Sequence, residues 1–104
     1  MAPVIDAVFG ADHVLVSLAS AWEIAIKRST RRLAIEESVE DGIADAGFEP
    51  LPISFRHVER VATLPLHHRD PFDRMLVAQA LDAGLTLVTH DRQLEPYGVQ
   101  ILWA

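Results

Sequence analysis

The sequence predicts one α/β domain, a layered sandwich of helices on a mainly parallel sheet. Three observations predict it. Short, wholly apolar strand segments alternate with well-capped helices along the chain, no repeat or Gly/Ser linker divides its 104 residues, and half of those residues are apolar. A chain of this length buries about 65% of the surface that it exposes when unfolded, enough for one core without staples. Cysteine is absent, which excludes a disulfide framework, a thiolate zinc site and a thiol nucleophile together.

Each element has its own local reason. Val14–Ser17, VLVS, reads as a strand. Ser20 reads as the start of a helix, with Ser20-x-x-Glu23 in the form of a capping box and Trp22, Ile26, Ser29 and Leu33 on one face. A second helix is expected over about Glu37–Ala46, stopped by Gly47. Phe48–Ile53 contains Pro50 and Pro52, so a strand there is short and at an edge. Ser54 opens a third helix with Phe55, Val58, Val61 and Ala62 turned inward, ending before Pro65. Asp70-Pro71-Phe72-Asp73 is the strongest local signal: a cap residue, a proline at the first helical position and an acid at the third. That helix runs through Leu76, Gln79 and Ala83 to a stop at Gly84. Leu85–Thr89 then forms a strand with Asp91 just past its end, and Val99–Trp103 forms the last.

Nine basic against fifteen acidic residues leave a net charge of −6. That balance argues against a protein that holds nucleic acid chiefly through a charged surface. Lys27, Arg28, Arg31 and Arg32 nevertheless form one basic cluster, and a run of acids follows between Leu33 and Phe55; solvated helix faces are the simpler reading of such blocks. The N-terminus lacks the basic and apolar regions of a secretory signal, and no apolar run reaches the roughly 18–20 residues of a membrane span. A cytoplasmic protein without a membrane partner is expected.

In parallel sheets, ligands bind at the carboxyl ends of strands. Glu23, Asp73 and Asp91 each follow a strand end or open a helix, and each stands among apolar residues. Carboxylates converging at about 5 Å repel by roughly 3 kcal/mol per pair, and a divalent cation removes that cost. Oxygen ligands without thiolates favour Mg²⁺, or Mn²⁺, which activates water for in-line displacement at a phosphodiester. Each acid also has a local reading. Glu23 suits a capping box, Asp73 a helix N-terminus and Asp91 a cap on the turn Arg92–Glu95, while Asp70 suits a cap better than a supporting ligand. Adjacent histidines in an extended segment point opposite ways, so His67-His68 is not expected to bind one metal. His13, His57 and His90 read as surface or packing residues, and Trp22 and Trp103 as core. No Gly-rich phosphate loop and no G-x-S-x-G elbow is present.

The run Ser20-Ala21-Trp22-Glu23-Ile24-Ala25-Ile26-Lys27 resembles a conserved block of PIN-domain proteins of the VapC toxin type. So do Leu51-Pro52-Ile53, Leu64-Pro65, the long block from His67-His68-Arg69-Asp70-Pro71-Phe72-Asp73 to Ala80, Leu87-Val88-Thr89-His90-Asp91, and the closing Tyr97-Gly98-Val99 to Trp103-Ala104. The resemblance implies a three-layer α/β/α sandwich, Mg²⁺-dependent cleavage of RNA and inhibition by a cognate antitoxin, with a homodimer left open. By motif, Glu23, Asp73 and Asp91 would be three of the family's four acids, with Asp73 and Asp91 on the metal and Glu23 completing the pocket or orienting water. Lys27 and Arg28, one turn on, are placed to steer the RNA backbone.

One departure matters. The family opens with an apolar strand ending in an acid, followed by a helix, and that opening is not found ahead of Val14. Val4-Ile5-Asp6 lies too close to Val14 for a parallel crossover, which needs a dozen residues or more. Asp6 therefore reads as the end of the family's first helix or the loop after it. The chain is expected to lack its first, central strand and one acid, and a frame extending upstream is expected to supply them. Two functions follow: an RNA-cleaving toxin, or a catalytically impaired remnant acting only by binding its antitoxin.

Overall fold

A computed structural model describes residues 7–9, 14–32 and 35–103. Expectations that fall on Val4, Ile5, Asp6, His13, Leu33 and Ala104 lie outside the described residues. The chain order is β1 (Ala7–Phe9), β2 (Val14–Ser17), α1 (Leu18–Thr30), α2 (Val39–Asp45), β3 (Glu49–Leu51), α3 (Phe55–Thr63), α4 (Pro71–Ala83), β4 (Thr86–Thr89), a 3-10 turn (Arg92–Tyr97) and β5 (Ile101–Trp103). The class is the expected mixture of helices and short, mainly parallel strands. No helix among the described residues is long and apolar enough to cross a membrane.

The five strands form one sheet in the order β3-β2-β1-β4-β5. β2 pairs with β3 and β4 with β5 in parallel, whereas β1 runs antiparallel to both β2 and β4. Four strands therefore share one direction and present their carboxyl ends at one edge. Contrary to the expectation from sequence, the middle of the sheet is filled. Ala7–Phe9 lies there, with Val8 opposite Leu15 on one side and Leu87 on the other. The crossover argument explains the direction: the link from Phe9 to Val14 is too short to return parallel, but an antiparallel pair needs only a hairpin.

α4 and β4 hold the centre. Leu76, Val77 and Ala80 pack with Leu87, Leu94, Tyr97 and Val99 in one buried cluster. The caps are mostly where the residue types place them. Asp70 Oδ1 accepts from the N–H groups of Phe72 and Asp73, and Gly84 closes α4 at φ 65. Ser38 caps α2, and Gly47 follows it at φ 82.

Three local expectations are corrected. α1 starts at Leu18, capped by Ser17, whose Oγ accepts from Ala19 N–H; Ser20 is buried inside the helix, so Ser20 and Glu23 form no capping box. Trp22 is not core but 63% exposed, because α1 buries Ala19 and Ser20 instead. α3 is turned so that His57 is buried and Phe55 is 86% exposed. His57 Nδ1 accepts from Ser54 N–H and its Nε2 faces Asp82 of α4, so polar partners outweigh the apolar periodicity there.

Candidate functional site

Two elements deliver the acids to the carboxyl edge. The Asp70 cap and Pro71 start α4 there, leaving Asp73 in its first turn. β4 ends at Thr89, whose Oγ1 accepts from the N–H of Asp91 and turns the chain toward the site. Asp91 also caps the 3-10 turn, its Oδ1 accepting from Gln93 N–H at 2.9 Å. The capping role expected from sequence is thus observed, and it leaves Oδ2 of Asp91 facing His68.

His68 joins these two acids. Ligand atoms of His68, Asp73 and Asp91 lie within 4.8 Å of one another. His68 Nε2 is 2.8 Å from Asp91 Oδ2 and 3.4 Å from Asp73 Oδ2. The imidazole and the Asp73 carboxylate are largely buried, with side chains 13% and 14% exposed. His67 points away, its ring edge-on to Tyr97 at 4.9 Å, as expected for neighbours in an extended segment. The two histidines thus face different neighbours, and only His68 stands beside the acids.

The segment carrying His68 is held by side chains remote in sequence. The Tyr97 phenol oxygen accepts from the backbone N–H groups of His67 and His68. Arg74 donates to that oxygen and to the carbonyls of Pro65, Val61 and Leu64, closing the end of α3 onto α4. The sequence motifs that include Arg74 and Tyr97 did not single out these two residues, because the backbone groups they hold lie distant in the chain.

Glu23 stands further off and does not join the 4.8 Å group. Its carboxyl is nevertheless raised above its ordinary value: burial is the main cause, Lys27 opposes it, and Asp70 and Asp73 add to it. Trp22 beside it meets Phe72 edge-on at 5.1 Å, tying α1 to the start of α4. The two basic candidates diverge. Lys27 acts electrostatically on Glu23, whereas Arg28 Nη1 donates to the Glu37 carbonyl at 2.7 Å and braces the approach to α2.

A partly buried pair of carboxylates beside an imidazole, at the carboxyl edge of an α/β sheet, is a group that could hold a divalent metal ion. The sequence model of the PIN domain matches residues 2–99, nearly the whole chain, and the chain belongs to that family. PIN domains are generally nucleases and typically depend on divalent metals. No curated protein and no solved structure gave a match.

Proposed function

We propose that this protein is a metal-dependent endoribonuclease in which Asp73 and Asp91 hold Mg²⁺ or Mn²⁺. The observation that carries this reading is the approach of Asp73, Asp91 and His68 to within 4.8 Å at the edge where α/β sheets bind ligands. The residues fit such an ion: carboxylate oxygens are hard donors, and their mutual repulsion, about 3 kcal/mol at 5 Å, falls when a cation lies between them. When bound, the ion supplies an activated water and shields the charge of the phosphodiester.

The chain's own groups would do the rest. Glu23, with its raised carboxyl, orients the attacking water and accepts its proton. The water oxygen bonds to phosphorus as one ester P–O bond breaks, and the departing oxygen takes a proton from solvent. Lys27 draws the RNA backbone toward the edge, and Asp70 supports the site by holding the start of α4. Resemblance to the VapC type favours a cytoplasmic toxin with a cognate antitoxin. An apolar cleft of about 440 Å³, lined by Leu18, Trp22, Val39 and Ile43, offers such a protein partner a seat. That cleft also favours the second reading, binding without cleavage.

The test is cleavage of a mixed-sequence RNA by the whole chain with Mg²⁺, with Mn²⁺ and with EDTA. Cleavage should need the metal and fall by about 100-fold or more in Asp73→Asn, at least the loss that disturbing a metal's outer shell produces. Metal binding with no cleavage would select the binding-only protein.

A further inference from the structure

Resting on the metal reading above, we propose that His68 is not a ligand of the ion but its built-in place-holder, competing with it for the same two carboxylates. The argument turns on where the ring carries its hydrogen. His68 Nδ1 accepts the backbone N–H of Asp70 at 2.9 Å, so a lone pair is on that nitrogen. The ring hydrogen is then on Nε2, an assignment from the hydrogen-bond network. That N–H points at Asp91 Oδ2, 2.8 Å away, with Asp73 Oδ2 at 3.4 Å. A nitrogen bearing hydrogen has no lone pair for a metal. Moving the hydrogen to Nδ1 would set two N–H groups against each other at Asp70.

The second step concerns Asp91. Its Oδ1 is committed to Gln93 N–H as the cap of the 3-10 turn, so the metal-facing oxygen is Oδ2, the one that His68 already engages. Donor and cation therefore contend for one oxygen. Tyr97 pins the backbone of His68 at 3.0 Å, which leaves the side-chain torsions to swing the ring aside. In the metal-free protein, the same N–H draws together two carboxylates that otherwise repel.

A place-holder and a ligand differ in the sign of one measurement. Mn²⁺ titrated calorimetrically into the whole chain should bind His68→Ala about 5-fold or more tightly than wild type, while the melting temperature in EDTA falls. His68→Asn can still accept from Asp70 N–H but does not reach the carboxylates; it covers the case in which the alanine variant fails to fold, and should also bind tighter. His68→Gln, which restores an N–H near the Nε2 position, should return affinity toward wild type. Weaker or unchanged Mn²⁺ binding in His68→Ala or His68→Asn would overturn the proposal, the first pointing to a ligand and the second to a merely structural histidine. Asp73→Asn separates the two readings. If that variant loses Mn²⁺ but the His68 variants gain nothing, only the place-holder falls; if wild type and all variants ignore Mn²⁺, the metal reading falls with it.

Discussion

Glu23 of α1 and Asp91 after β4 are both partly buried carboxylates, and their surroundings push them in opposite directions. For Asp91, burial acts upward, but Gln93 N–H and the His68 hydrogen bond outweigh it and hold the group below its ordinary value. For Glu23, burial wins over Lys27, with Asp70 and Asp73 adding to the rise. Linkage fixes the signs. A lowered acid contributes stability above its unfolded value and loses it as pH falls through its folded value. A raised acid contributes stability at low pH and loses it as pH rises through its folded value. In EDTA, Glu23→Gln should therefore raise the melting temperature at pH 7, and raise it by less at pH 4. Asp91→Asn should lower it at pH 7, with the gap closing on acidification. Thermal melts across that range decide both; a Glu23→Gln variant less stable than wild type at pH 7 would remove the reason for calling Glu23 a strained acid.

The element that governs the site is α4, together with the residue 64–70 segment ahead of it. Asp70→Ala removes the acceptor for Phe72 and Asp73 N–H and should cost about 0.5–2 kcal/mol in denaturant unfolding. Tyr97→Phe leaves the N–H groups of His67 and His68 without their acceptor. It should cost about 1–3 kcal/mol, and hydrogen exchange at those two amides should quicken. If exchange there is unchanged, the phenol does not hold the segment. α4 was legible residue by residue, because cap, proline and αL glycine act within a few positions of their own backbone. The facing of α3 was not. Its apolar periodicity pointed Phe55 inward, and the choice fell instead to His57, which finds Ser54 and Asp82.

At the scale of the whole molecule, β1 joins two parallel pairs that would otherwise present bare edges to each other. Val8 is paired on both sides, so a proline there has no edge on which to hide its absent N–H. Val8→Pro should cost about 3 kcal/mol or more, read from the shift in denaturant midpoint at constant slope. A change of a few tenths would mean that the two halves of the sheet hold together without β1. Leu87, fully buried next to this strand in the sheet, gives a reference: Leu87→Ala should cost about 2–5 kcal/mol through the cavity that it leaves.

By itself the sequence determined the α/β class, the bounds of α4, a short edge strand within Phe48–Ile53 and the placing of Asp73 and Asp91 at one sheet edge. Each of these follows from short-range chemistry: which residue caps, which φ a proline or glycine takes, which strand end an acid follows. Only the tertiary structure decided that His68 bridges Asp73 and Asp91, that Tyr97 and Arg74 hold its segment, and that Ala7–Phe9 fills the sheet antiparallel. His68 and Asp91 are 23 residues apart, and no local signal records a hydrogen bond across that distance. Ala7–Phe9 likewise has no local signal that names its partners or its direction. It becomes a strand because two neighbours each leave a row of unpaired backbone groups, and the short link before β2 lets it satisfy both only by running the other way.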